Sequence, residues 1–164
     1  MILDLRELIA GTVKAVPFEY DCPGEGLTED LCSGSVHAEG RVENHAGFLV
    51  LNGEAVLSGV FRCARCCKEF EQDLRFPMEY KLAESLAGDD EEEEFLLLSD
   101  GMLDIAETVR EQLLTEMPYR FLCRSNCKGL CPKCGCDLNV ERCSCDTKEI
   151  DPRWAALAGY FDNE

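Results

Sequence analysis

The stretch CKGLCPKCGCDLNVERCSCD, residues 127–146, places six cysteines in twenty residues. Few large apolar side chains lie between the thiols, so the segment cannot build an ordinary core. Ordering its backbone costs roughly 1–2 kcal/mol per residue, whereas a structural zinc supplies an apparent ~10–16 kcal/mol at neutral pH. The segment therefore reads as one that folds around a metal ion. Twelve cysteines occur in the whole chain. Its opening, MILDLRELIAG, shows neither a basic segment ahead of an apolar core nor a small-residue cleavage site, and the expectation is a cytosolic protein. Reducing compartments keep thiols free, which favours metal ligands or redox thiols over a disulfide framework.

The thiols run Cys123-x3-Cys127-x3-Cys131-x2-Cys134-x-Cys136-x6-Cys143-x-Cys145. Cys131 and Cys134, followed by Gly135, form a zinc knuckle: a tight turn aims both sulfurs, and nearby backbone amides, at one point. Cys143 and Cys145 are the most economical second pair, because the connection through Asp137 and Asn139 can turn the chain back over the knuckle. Cys123 and Cys127 compete with them. Four of these six would make one site, and all six could hold two zincs through bridging sulfurs. Cys136 is set aside as a spectator. Zinc is the expected cofactor, a single iron in four thiolates is the alternative, and reduced cysteines packed as small hydrophobes are the bland reading. A catalytic zinc keeps a position open for water, usually among histidine or carboxylate ligands. His37 and His45 lie far off in sequence and read as surface residues, so no catalytic role is expected. A second pair, Cys63 and Cys66 in RCARCCKEF, leaves three options open: a shared or separate metal, a redox couple, or structural pairing of a hairpin.

Charge narrows the partners. The formal net charge is -17, and residues 79–116 alone hold 13 acidic against 2 basic side chains. Residues 117–164 balance 7 against 7. A nucleic-acid binder normally presents a basic face to the phosphates, so a basic protein partner is favoured over naked RNA. No apolar run approaches the roughly 20 residues that cross a bilayer, and no membrane association is expected.

The remaining pattern is mostly β with flanking helices, an α+β chain with a small antiparallel sheet or barrel and a C-terminal zinc-binding module. Asp4 and Glu7 have capping-box spacing ahead of a short helix from Leu5 to Ala10. Strand-like alternation follows from Val13 to about Lys81, with Val36, Ala38, Gly40 and Val42 on one face and Ala55, Leu57, Gly59, Phe61 and Cys63 on another. His45-Ala46-Gly47 and Asn52-Gly53 read as turns. The acidic run at 88–94 repels itself and reads as a solvated loop. FLLL at 95–98 reads as a returning strand, and Ser99-Asp100-Gly101 as a turn. Asp104 and Glu107 start a helix that Pro118 stops, placed to close the open face of the sheet. Asp151-Pro152 opens a last helix, with Trp154, Leu157, Ala158 and Phe161 as one apolar stripe. The division is a β-rich unit at 1–120 and a cysteine-rich module at 121–164.

Taken in order, MILDLRELIAG, the CARC motif closing a strand, the acidic loop, DIAETVREQLLTEMP, and CKGLCPKCG with DLN, CSC and DPRWAAL resemble the large ribosomal RNA subunit accumulation protein family, also called the YceD family. The cysteine-rich tail is similar to the form found in Gram-positive bacteria, with Cys67 and Cys136 as thiols beyond that pattern. The resemblance implies a small-barrel, nonenzymatic ribosome-biogenesis factor that supports accumulation of large-subunit (23S) rRNA. Its expected partner is a basic ribosomal protein or a large-subunit precursor, and any RNA contact would fall in the tail, where Arg120, Arg124, Lys128, Lys133, Arg142, Lys148 and Arg153 lie. The alternative is a redox-responsive zinc thiol protein with holdase-like activity, motivated by the density of thiolates.

Overall fold

Three strands of 15 residues each dominate the chain: β3 (Leu31–His45), β4 (Phe48–Arg62) and β5 (Glu69–Ala83). The computed structural model describes residues 1–45, 48–84 and 95–145. Before these strands come β1 (Ile2–Asp4), a short helix α1 (Arg6–Ile9) and β2 (Ala15–Pro23). After them come β6 (Phe95–Leu97), β7 (Met102–Asp104) and helix α2 (Ile105–Glu116). Strands β2-β3-β4-β5-β6 form one sheet in sequence order, and β1 pairs with β7 in a separate ribbon. The sheet is curled into a half-barrel with β2 and β6 at its edges. It is mostly β with few helices, as the alternation predicts, but the barrel is not closed among the described residues. All neighbours are antiparallel except β5 and β6, where Lys81–Ala83 runs parallel to Phe95–Leu97. The expected returning strand is thus present, but it runs parallel to its neighbour.

Strands of this length are nearly three times the usual one, and paired glycines let them coil. Gly40 lies opposite Gly53, and Gly34 opposite Gly59, across β3 and β4. A Cβ on Gly40 would sit 2.5 Å from the Asn52 carbonyl oxygen and 2.8 Å from the ring of Phe18. Asn52-Gly53 is therefore not a turn. β4 runs straight through it, and the glycine answers a close approach of neighbouring strands rather than a reversal. The β3–β4 hairpin closes between His45 and Phe48, which face each other. Ala46 and Gly47 lie outside the described residues, as do the acidic run at 88–94 and the expected helix from Asp151.

The concave face holds the core. Val36, Ala38 and Val42 from β3, and Leu51, Ala55, Leu57 and Phe61 from β4, are all buried together as period-2 alternation requires. Helix α2 covers this face with Ile105, Val109 and Leu113 at helical spacing. Asp104 caps it, accepting from the N–H groups of Ala106 at 2.9 Å and Glu107 at 3.4 Å. Buried Gln112 is satisfied on both ends: it donates to the Pro77 carbonyl at 2.7 Å and accepts from the Tyr80 hydroxyl. The first helix is shorter than its spacing suggests. The Asp4 carboxylate takes the Arg6 N–H at 3.1 Å and the Arg6 guanidinium at 2.6 Å, and Leu5 at the N-cap has no side-chain bond. Leu5 and Leu8, both fully buried, anchor α1 instead.

Candidate metal centre

β4 leads into a tight turn, Cys63-Ala64-Arg65-Cys66, before β5 begins at Glu69. The Cys67 N–H donates to the Cys63 carbonyl at 2.9 Å, and the Cys63 N–H to the Lys68 carbonyl at 2.9 Å. Cys67 takes a φ of 58° to complete the reversal and leaves its own side chain exposed. The turn is seated on the core, since Phe61 stacks on Phe121 with ring centroids 4.5 Å apart. That stacking and the Ala64 N–H to Phe121 carbonyl bond of 2.9 Å bring the tail against the end of the sheet.

Four sulfurs meet there. Cys63, Cys66, Cys123 and Cys127 have their sulfurs all within 4.8 Å of one another. The Cys63–Cys127 pair is 3.9 Å apart and the Cys66–Cys123 pair 3.7 Å. Zinc–sulfur bonds of about 2.3 Å in a tetrahedron give an edge of about 3.8 Å, so the spacing fits one four-thiolate ion. The backbone is arranged for negative charge on sulfur. Burial raises the Cys63 thiol, but N–H groups of Cys123, Arg65 and Cys66 outweigh it and bring the group down to about 6. Burial likewise raises Cys127, and the Gly129 N–H and the Asn139 amide pull it below its ordinary value. Burial and the neighbouring thiols push Cys123 up to about 12. Charge placed on one sulfur thus burdens the next, which is the conflict a shared cation resolves.

A second cluster lies within the tail. Cys131, Cys134, Cys136 and Cys143 also hold their sulfurs within 4.8 Å of one another. The Gly135 N–H donates to the Cys131 carbonyl at 2.8 Å with Gly135 at a φ of 74°, and the Cys131 N–H donates to the Cys136 carbonyl at 2.9 Å. N–H groups of Cys134 and Lys133 point at the Cys131 sulfur and bring it down to about 6. Cys134, then burial and Cys131, push the neighbouring Cys145 thiol up to about 12.

The predicted thiols are therefore divided differently from either sequence option. Cys123 and Cys127 join Cys63 and Cys66, not the knuckle. Cys131, Cys134 and Cys143 stay together, joined by Cys136 rather than Cys145. Cys136, set aside as a spectator, is inside the cluster because the left-handed Gly135 swings the chain back over Cys131. His37 is half-buried, bonds to Asp21 at 2.8 Å and groups with Glu19 and Asp21 rather than with the sulfurs, and His45 lies near Glu43. Asn139, in the connecting turn, reaches back to the first cluster. It accepts the Lys128 N–H at 2.8 Å and donates to the Cys127 sulfur at 3.4 Å and to Asp137 at 2.7 Å. Lys68, beside the first turn, reaches Asp137 at 2.5 Å. The DLN triplet carried the signal: short polar side chains in a thiol-dense segment are where amide donors to sulfur arise.

Fold and site together define a β-rich scaffold whose open end and tail carry cysteine clusters that could hold metal ions. The chain belongs to the YceD family: the family model described as large ribosomal RNA subunit accumulation protein YceD matches residues 51–160, a span holding most of β4, all of β5 and α2, and both clusters. An uncharacterized protein of Mycobacterium tuberculosis is 32% identical over 131 residues, covering 76% of this chain and 61% of the relative. The chain thus spans about three fifths of the length of these mycobacterial relatives. The chloroplastic large ribosomal RNA subunit accumulation protein YCED homolog 1 of Arabidopsis thaliana is 36% identical over 55 residues, 34% of this chain and 17% of the relative. The uncharacterized protein YlbN of Bacillus subtilis is 30% identical over 96 residues, 56% of each chain. No solved structure matches the chain. Among the described residues, no helix is long and apolar enough to cross a membrane.

Proposed function

We propose that this chain is a nonenzymatic, cytoplasmic factor in ribosome biogenesis that supports accumulation of large-subunit (23S) rRNA, with zinc in its cysteine clusters. The observation that carries the reading is the family match over residues 51–160. The plant relative's name supports it, since that protein is called a large ribosomal RNA subunit accumulation protein. The reading keeps two units, 1–120 and 121–164, joined through Cys63, Cys66, Cys123 and Cys127. Zinc is preferred because both clusters offer soft sulfur ligands only, the first at an edge length suited to a tetrahedron.

The partner follows from charge. With a net charge of -17, the body repels naked RNA and attracts a basic ribosomal protein or a precursor particle that displays one. Depleting the protein should lower 23S rRNA relative to 16S, and the tagged chain should sediment with large-subunit precursors. Retention at the top of the gradient together with an unchanged rRNA ratio would refute the reading.

A further inference from the structure

The five-stranded sheet ends in two edges of opposite character. β2, at one edge, carries Pro17 and Pro23, which offer no N–H, with Glu19 and Asp21 between them. Prolines and charges of this kind discourage a further strand from pairing. β6, at the other edge, is Phe95-Leu96-Leu97, with neither proline nor charge, and among the described residues it is paired on one side only, to β5. A groove of about 530 Å³ lies beside it, lined by residues of β6, β1, β7 and α2. Ile2, Leu97 and Met102 supply its apolar surface, and Ile2 and Leu97 are 69% and 51% exposed. Exposed apolar side chains gathered beside an unguarded strand edge mark a surface that another segment covers.

The rim sets the charge of that segment. Asp104, Glu107 and Glu111 line the groove, and no lysine or arginine does. Lys81 stands 5.6 Å over the Phe95 ring but is not part of the lining. Asp104 is taken up by the α2 cap and by the Met1 amino group at 3.3 Å. Glu107 and Glu111 are exposed, one helical turn apart, with no ion-pair partner among the described residues. Like charges at that spacing repel, and a cationic occupant relieves both. Residues 151–164 hold three acidic side chains against one basic, and a second copy brings a net charge of -17, so neither suits this rim. We propose that the groove receives an extended basic segment of a protein partner, which adds a strand to β6. Its apolar side chains, at alternate positions, lie against Ile2 and Leu97 while its lysines or arginines meet Glu107 and Glu111. Backbone pairing supplies the affinity and the alternate side chains the selectivity. The inference rests on the reading that the partner is a basic protein, and it puts that partner at the far end of β5 from the Cys63–Cys66 turn.

Fluorescence anisotropy on the full chain tests this with a short labelled peptide of alternating lysine and leucine as the probe. The peptide should bind, and replacing its lysines by glutamate, or its leucines by serine, should abolish binding. Glu107→Lys combined with Glu111→Lys should weaken binding about tenfold, and Leu97→Ser about fivefold. Glu19→Lys combined with Glu39→Lys makes the same change of net charge at the other edge of the sheet, where the two residues face each other, and should leave binding within about twofold. Unchanged thermal midpoints show that the variants are folded. Equal losses in the two charge-reversed variants would reduce the binding to general attraction by an acidic protein and overturn the proposal. No binding of the probe, or equal binding of the lysine–serine peptide, would overturn it as well. A photo-crosslinking benzoylphenylalanine in place of Leu97 identifies the occupant: adducts to the probe support the proposal, whereas crosslinks into residues 151–164 or to a second copy overturn it. None of these readouts involves rRNA, so a wrong groove and a wrong ribosomal role are told apart.

Discussion

The two thiol clusters use the same chemistry on opposite scales. The first joins sulfurs up to 64 residues apart, taking two from the β4–β5 turn and two from the tail, and three of its four cysteines are buried. The second draws all of its sulfurs from residues 131–143, and only Cys131 among them is buried. One is a tertiary cross-link that needs the sheet in place; the other is local and shapes the tail on its own. The β4–β5 hairpin presents Cys63 and Cys66 already aimed, so half of the first site is preorganised before the tail arrives. Closing so long a loop costs little more than closing a shorter one, because the entropy grows only with the logarithm of length.

Metal removal should give the largest effect. Stripping the protein with a strong chelator should abolish amide protection across residues 121–145, a loss on the order of 10 kcal/mol for a structural zinc segment. Strands β3–β5 should keep theirs, because their core of Leu51, Leu57 and Phe61 contains no thiol. Hydrogen exchange on the two states checks this, and protection retained in the tail would show that packing alone holds it.

Next in size is Phe121→Ala. Phe121 is 3% exposed and stacks on Phe61, so truncation should destabilise the joint by about 3–5 kcal/mol. Denaturant unfolding of the zinc-loaded protein measures it. Beside the second cluster, by contrast, Val140 is 76% exposed. A negligible cost would mean that the first cluster, like the second, is held by its sulfurs alone.

How much of this could be read from sequence differs between the regions for a physical reason. The strands were legible because Val36, Ala38 and Val42, and Ala55, Leu57 and Phe61, alternate with polar residues along each strand. Helix α2 was legible from Asp104 and its 3.6-residue apolar stripe. Asn52-Gly53 misled because the same glycine serves a turn or a close strand approach, and only the cross-strand partner, Gly40, decides which. The knuckle at Cys131 and Cys134 was local and visible. The partnership of Cys63 and Cys66 with Cys123 and Cys127 was not, since spacing within a segment says nothing about which distant turn faces it. Cys136 depended on the left-handed backbone at Gly135, a single dihedral that reverses where the following side chain points.

Asn139 ties the connection after the knuckle to the first cluster, and Asn139→Asp tests that tie. The substitution removes the amide donor to the Cys127 sulfur and sets a carboxylate beside it. Zinc affinity at the first cluster should fall about 10–100-fold, the usual penalty for losing an outer hydrogen bond to a ligand. Competition with a fluorescent chelator resolves the two ions, and the second should be much less affected. Equal weakening of both would mean that the clusters bind as one unit.

The smallest effect belongs to the Lys68–Asp137 ion pair, which bridges the clusters at the surface with Lys68 more than half exposed. Such pairs contribute little in water, and Lys68→Ala should lower the thermal midpoint by only about 1–3 °C, less so at high salt. The Lys68 ammonium, with the Asn139 amides, holds Asp137 down to about 2, and Asp137 in turn raises Lys68. A lowered carboxylate contributes stability above its ordinary value and loses it as pH falls through about 2, while a raised lysine loses its share only as pH rises through its elevated value. From pH 5 to 9 the pair is therefore constant. Any loss of the tail on mild acidification must come from protons competing with metal for the thiolates, and the Lys68→Ala variant should show the same acid midpoint as the wild type. A shifted midpoint would mean that the surface pair, rather than the sulfurs, governs how the two clusters stay joined.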